Sequence, residues 1–292
     1  MKKSICVFGE VLFDHFPDGS RVIGGAPFNV AWHLQAFGLS PFFISRVGDD
    51  DEGRQVMEIM QAWGMETAGL QTDYELPTGR VQIEFENGEP RYDIVENCAY
   101  DAIQPQSIEN FQLLYHGSLA LRAAESAATL LSMRKDVADR IFIDVNLRAP
   151  WWSRSRLEAL LSASHWVKLN TDELAALAPP GSSPDDTALT FLQAHQLQGL
   201  VVTHGAEGAE VLLSDGGRFK ASGERVTEVV DTVGAGDAFS SVLLLGLARG
   251  WPLASTLQRA GEFAARLVGR QGATVQEREF YEEFICKWDL SG

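Results

Sequence analysis

The residues with the clearest chemistry run from Asp231 to Ser241, as Asp-Thr-Val-Gly-Ala-Gly-Asp-Ala-Phe-Ser-Ser. Gly234 and Gly236 let backbone N–H groups converge on one point with no Cβ in the way. Residues 238–248 are apolar almost all round and Gly250 follows them, which predicts a buried helix ended by a glycine. The β-branched run Val226, Val229, Val230 predicts a strand leading into the turn. A helix N-terminus carries about half a positive charge, so the turn suits an anion such as phosphate. Asp237 is out of place in a simple anion site, because its carboxylate repels the ligand. It makes sense as the base that takes a proton from a hydroxyl attacking phosphorus. Phosphoryl transfer asks for little more than an aligned nucleophile, a base and donors for the oxyanion charge. The plainer alternative is an aspartate that caps the helix beside two turn glycines.

The elements that must hold such a site alternate strand with helix. Strands are predicted at 5–8, 42–47, 113–115, 141–143, 166–169 and 200–202, with a hairpin partner at 208–213. Helices are predicted from Pro27 to Phe37, from Asp49–Asp51 to Trp63, at 123–137, around 157–161, up to Leu177, and at 253–268 as the last element. A loop is expected at 179–183. One stretch breaks the rhythm. Val81, Ile83 and Phe85 alternate with polar residues, Asn87-Gly88 predicts a tight turn, and Tyr92 and Ile94 alternate on the return. This hairpin reads as a small β flap outside the main sheet, with residues 15–23 as a further strand. A flap beside a phosphoryl-transfer site would exclude water.

Asp14, Asn146, Asn170, Glu173, Thr203 and Asp231 all follow the carboxyl ends of predicted strands, the edge where open parallel sheets bind ligands. Gly24-Gly25 permits close approach of a ligand, and Asn29 falls on the first turn of the helix after it, where its amide could bind hydroxyls. Asn170 and Glu173 are three apart at a helix start. They could hold the water shell of Mg²⁺, or simply cap the helix. Thr203, Gly205 and Gly208 could wrap nucleotide phosphates. Lys168 and Arg148 could reach phosphate oxygens, or be solvated cations. Arg80 and Tyr100 lie by the flap and could touch substrate, with core packing the alternative for Tyr100. His116 reads as a satisfied histidine.

The 292 residues suffice for one large α/β domain with a small accessory piece. The hydrophobic content of 45% is that of a soluble globule, and the net charge of −16 with no basic run argues against nucleic acid and anionic membranes. Cys6, Cys98 and Cys286 are odd in number and scattered, which suits a reducing cytoplasm. The amino-terminal apolar run is too short for a signal peptide, and no run spans a bilayer. Walker A, an HRD-type protein-kinase loop and GxGxxG after the first strand are absent, which disfavours those kinases and a Rossmann oxidoreductase. A non-catalytic sugar or nucleotide sensor is the remaining rival.

Several motifs together resemble the ribokinase-like carbohydrate kinases of the PfkB type, and most closely the bacterial fructokinases. They are Gly24-Gly25-Ala26-Pro27-Phe28-Asn29 with Arg46-Val47-Gly48-Asp49-Asp50, Asn170-Thr171-Asp172-Glu173, and Asp231 to Asp237. Pro77-Thr78-Gly79, Pro90-Arg91-Tyr92, Gly117 to Arg122 and Asp144 to Arg148 extend the likeness over nearly the whole chain. The resemblance implies a three-layer α/β fold with a mostly parallel sheet, one domain over 1–292, and a β lid formed by about 15–23 and 76–100. It implies an ATP-dependent sugar kinase acting on a primary hydroxyl, with fructose as acceptor; 2-keto-3-deoxygluconate, another ketose or a nucleoside are the alternatives. Asp237 would be the base, with Gly234, Ala235 and Gly236 around the transferring phosphoryl group. Asp14, Gly24, Gly25, Asn29, Arg80, Tyr100 and Arg148 would face the sugar. Lys168, Asn170, Thr203, Gly205, Gly208, Thr232 and Gly236 would face ATP. Asn170 and Glu173 would hold Mg²⁺ through water, and Asp231 would lie near a K⁺ site. A cytoplasmic homodimer joined through the lids is also implied. Tyr100, where a Trp is common, and Cys98-Ala99, in place of Val-Ala, depart from the fructokinase pattern.

Overall fold

The computed structural model describes residues 3–86, 89–106, 111–178, 186–224, 226 and 228–290. The expected turn at Asn87-Gly88 and the loop at 179–183 lie outside them. In chain order come β1 (Lys3–Phe8), β2 (Leu12–His15), β3 (Arg21–Gly24), α1 (Ala26–Ala36), β4 (Phe42–Gly48), α2 (Asp51–Trp63) and β5 (Leu70–Asp73). Next are β6 (Gly79–Glu86), β7 (Glu89–Ile94), β8 (Phe111–His116), α3 (Ala124–Val137), β9 (Ala138–Asp144), α4 (Arg154–Leu161), β10 (Trp166–Asn170) and α5 (Thr171–Leu177). The chain continues through α6 (Thr187–Ala194), β11 (Gly199–Thr203), β12 (Gly208–Leu213), β13 (Arg218–Ser222), α7 (Ala235–Arg249), α8 (Leu253–Val268) and α9 (Arg278–Lys287).

Among the described residues the strands form two sheets. The larger has the order β13-β12-β11-β10-β9-β8-β1-β4-β5. It is parallel from β11 to β5, with β12 and β13 added antiparallel at one edge. Both faces are covered, as a parallel sheet requires. In β1, Ile5 and Val7 point to the layer of α1, α7 and α8, while Cys6 and Phe8 point to the opposite layer with α3 and α4. The first layer is apolar in depth. Val242, Leu243, Leu244 and Leu245 of α7 are fully buried, each stabilising the fold by about 1.5–3 kcal/mol relative to exposure. This explains why α7 lacks a polar face.

The smaller sheet, ordered β3-β2-β6-β7, contains the hairpin read as a flap. Its extra strands are β2 and β3, which overlap the two ends of the expected 15–23 segment with a turn between them. A buried carboxylate ties this sheet to the main body. Glu52, in the first turn of α2, accepts from Arg80 Nε at 2.7 Å and Arg21 Nη1 at 3.1 Å, and His15 Nε2 stands 2.8 Å away. The three basic residues come from β6, β3 and β2.

Three further expectations are corrected. Among the described residues no strand runs directly into the Asp231 turn: Val229 and Val230 are exposed, and the N–H groups of Val230 and Asp231 both donate to Val268 O. Two donors sharing one carbonyl is docking onto the end of α8, not a ladder. α8 is not the last element, because α9 packs Phe280, Tyr281 and Phe284 into the core around Phe263. β5, α6 and β13 also lie outside the expected elements; β5 and β13 are short and polar, as edge strands are.

Candidate active site

The first turn of α7 is the floor of the site. Gly234 is its N-cap at φ 78°, and a Cβ there would stand 2.5 Å from Ala273 Cα, so both conformation and space require glycine. Ala235, Gly236 and Asp237 follow, with first-turn N–H groups that lack intrahelical partners. Asp237 therefore does not cap the helix; it is the third helical residue. Its Oδ2 accepts a 2.8 Å hydrogen bond from Asn29 Nδ2. Asn29 reaches it because Gly25 (φ 107°) starts α1 pressed against the backbone of Glu10, where a Cβ would lie 2.6 Å from Glu10 O. Asn29 is buried and its own Oδ1 has no partner. Burial pushes Asp237 up to about 7 from the ordinary 3.8, against the Asn29 hydrogen bond; the charge of Asp144 adds to the rise, and Lys168 and Arg148 oppose it. At neutral pH such a carboxyl is poised to exchange a proton.

Beneath this turn lies a buried ion pair. Asp144 ends β9 and Lys168 is its register partner on β10. Lys168 Nζ donates to Asp144 Oδ2 at 2.7 Å, and Ser240 Oγ donates to the same oxygen at 2.7 Å. Lys168 is thus neither a solvated cation nor at an open strand end; only 5% of it is exposed. The hydroxyl of Tyr115 is buried, and Asp144, Asp237 and Glu10 add to burial in pushing it well above its ordinary value. Sequence reasoning assigns no role to Asp144, Ser240, Tyr115 or Glu10, although Asp144 and Ser240 fall within quoted motifs. The available signal was charge inside apolar strands, in Ile-Phe-Ile-Asp and Trp-Val-Lys-Leu.

Asp14 on β2 faces the same cleft. A Cβ on Gly24 would lie 3.5 Å from its Oδ2. Burial raises Asp14 to about 6, with Arg148 and His15 opposing. Exposed Arg148 opposes the rise that burial causes at Glu10, Asp14 and Asp237 alike, so one cation serves three carboxyls. Arg80 has its Nε committed to Glu52. Tyr100 is fully buried, and its hydroxyl has no partner. Its ring packs where a Cβ on Gly79 would be. His116 is buried, with Nδ1 2.8 Å from Gly117 O.

On the other side, Asn170 and Thr203 are register partners at the ends of β10 and β11. Asn170 and Glu173 form a reciprocal capping box: Asn170 Oδ1 accepts from Glu173 N, and Glu173 Oε2 from Asn170 N, each at 2.9 Å. Glu173 Oε1 accepts from Leu147 N at 2.7 Å. The capping alternative is therefore what the backbone uses, and the carboxylate keeps only its remaining lone pairs for a metal-bound water. Gly205 lies in a short turn and Gly208 opens β12 beside β13. Thr232 and Gly236 are exposed. Asp231 accepts from Val233 N at 2.9 Å and Gly272 N at 3.0 Å, closing the loop onto the turn after α8. Among the described residues no three His, Cys, Asp or Glu side chains group as metal ligands.

Comparison with known proteins places the chain in a family. The family model described as pfkB family carbohydrate kinase matches residues 2–279. The chain is 32% identical to a fructokinase of Klebsiella pneumoniae over 266 residues, covering 85% of each protein. It is 29% identical to the aminoimidazole riboside kinase of Salmonella typhimurium over 291 residues, covering 92% of this chain and 90% of that one. Among solved structures, a fructokinase with bound ATP from Xylella fastidiosa superposes with a TM-score of 0.84 at 25% identity, covering 99% of this chain and 100% of the other. With a profile match over nearly its whole length, the chain belongs to the pfkB family of carbohydrate kinases.

Proposed function

We propose that this carbohydrate kinase transfers the γ-phosphate of ATP to a primary hydroxyl of fructose, with Asp237 as the base. The observation that carries this is the juxtaposition of a proton-poised carboxyl, held by Asn29, with the first-turn N–H groups of α7, which lack intrahelical partners. A sugar alcohol set against Asp14 and the Gly24-Gly25 backbone would place its hydroxyl toward Asp237. As the hydroxyl attacks, Asp237 accepts its proton, and the amides of 234–237 stabilise the charge on the transferring group. Arg148 would neutralise acidic groups around the sugar, and Arg80 and Tyr100 would border it. The nucleotide would lie across Lys168, Asn170, Thr203, Gly205, Gly208 and Thr232.

The hard oxygens of Asn170 and Glu173 fit the water shell of Mg²⁺ rather than direct ligation, since each already serves the helix cap. Mg²⁺ bound there would neutralise charge on the ATP phosphates. K⁺ would lie near Asp231, on the lone pairs left by its bonds from Val233 N and Gly272 N. The whole chain would act as one domain, the small sheet closing as a lid. Exposed Val22 and Tyr92 on that sheet support pairing with a second copy. Three free cysteines, two of them buried, support a reducing cytoplasm. No described helix is long and apolar enough to cross a membrane.

The name of the relative matched over 92% of the chain favours one second reading, a riboside acceptor. A coupled ADP assay over fructose, other ketoses, 2-keto-3-deoxygluconate and ribosides separates the two. Fructose turning over with the highest kcat/KM is the expected result, and its failure to do so would reject the assignment.

A further inference from the structure

The pair beneath α7 has a feature that folding does not require. Asp144 and Lys168 each interrupt an apolar strand and face each other across neighbouring parallel strands. Buried ion pairs add little stability over apolar residues of the same shape. One carboxylate oxygen, Asp144 Oδ2, receives both Lys168 Nζ and Ser240 Oγ, and Ser240 Oγ also lies 2.9 Å from Gly236 O in the first turn. Lys168 Nζ is 3.7 Å from the point a Cβ on Gly236 would occupy. Gly236 has no side chain to screen the ammonium from the space above the helix N-terminus, and an ammonium has three protons to give.

We propose that Asp144 is a positioning residue for phosphoryl transfer, holding Lys168 under the first turn of α7 and balancing its charge against Asp237. The proposal rests on Asp237 being the base. Asn29 from α1, Tyr115 from β8, Asp144 from β9, Arg148 from the following loop and Lys168 from β10 all face Asp237. Lys168 and Arg148 favour its charged form; Asp144 disfavours it. An unopposed ammonium so close would leave Asp237 a weak proton acceptor. With Asp144 beside it, the ammonium can serve the anionic phosphoryl group while Asp237 keeps its basicity.

The test is the acid limb of kcat/KM for the sugar, at saturating ATP, in wild type, Asp144→Asn, Lys168→Met and the double variant. Asp144→Asn should move the limb to lower pH and Lys168→Met to higher pH, each by about one unit. The double variant should fall back near wild type, because the two opposite displacements cancel. A purely structural pair would lower every profile without displacing it. An unmoved limb in both single variants, or displacement in the same direction, would overturn the proposal. Should Asp144→Asn not fold, Lys168→Met decides alone, and a limb unmoved or lowered there rejects the idea. Asp237→Asn keeps the two readings apart. If it retains wild-type turnover, the base assignment fails; if it is inactive and the limb ignores the pair, only the role of Asp144 fails.

Discussion

At the scale of single residues the chain turns on one carboxyl and its neighbours. Replacing Asp237 by Asn removes the proton acceptor and keeps the shape, so turnover should fall about 10²–10⁴-fold with sugar binding retained, as calorimetry and a coupled assay would measure. Because burial raises Asp237 to about 7, the wild-type rate should fall as pH drops through 7. The stability sign is opposite to that of a salt-bridged aspartate. Between 3.8 and about 7 the folded chain holds a proton that the unfolded chain has lost, so this group's contribution to stability fades as pH rises through that window. Asp237→Asn should therefore gain in melting temperature relative to wild type between pH 5 and 8. Asn29→Ala removes the hydrogen bond that favours the carboxylate. Its acid limb should move to higher pH, with the greatest activity loss near pH 6.

At the scale of elements, α1 and α7 must dock before the site exists. α1 supplies Asn29 to Asp237. Its next turn supplies Trp32, whose Nε1 donates to Val275 O, and His33, which bridges Tyr281 Oη and Ala273 O. Burial lowers His33 to about 4, so at neutral pH its ring is uncharged and one nitrogen must accept. Ala273 in turn packs against Gly234. Gly234→Ala would force a Cβ into that backbone, at a cost of about 1 kcal/mol or more, and should also depress kcat by moving the amides. Activity lost beyond what urea denaturation explains would support this; unchanged kcat would not. α9 stabilises the assembly without touching the cleft. Phe284→Ala should cost about 3–5 kcal/mol in urea unfolding, with kcat per folded molecule unchanged.

At the scale of the molecule, Glu52 joins the small sheet to the main body. Three strands of the small sheet send His15, Arg21 and Arg80 to one buried carboxylate on the main body. Removing the charge of the buried carboxylate deprives three partly exposed basic side chains of their anchor on the main body. Glu52→Gln should loosen the small sheet over the cleft, raising the sugar KM several-fold and increasing ATP hydrolysis in the absence of sugar. Sugar-free ATPase activity and KM at wild-type levels would show that Glu52 does not govern closure.

The amino-acid sequence by itself determined what depends on near neighbours. Glycine positions, capping residues and helix or strand periodicity set α2, α7, α8 and the central strands, and they placed Asp237 beside converging amides. Segments whose structure depends on distant partners were not legible. Val226 to Val230 has strand composition, yet its backbone bonds to Val268 at the end of α8. Arg80 reads as a residue beside the flap, and only the fold shows that its Nε is held by Glu52, 28 residues away in the chain. The pairing of Asp144 with Lys168, and of Asn29 with Asp237 across 208 residues, arises only when parallel strands and two helices fix side chains in three dimensions. Local pattern records which groups a residue can offer; only tertiary structure decides which of them meet, because burial removes the water that would otherwise satisfy each one separately.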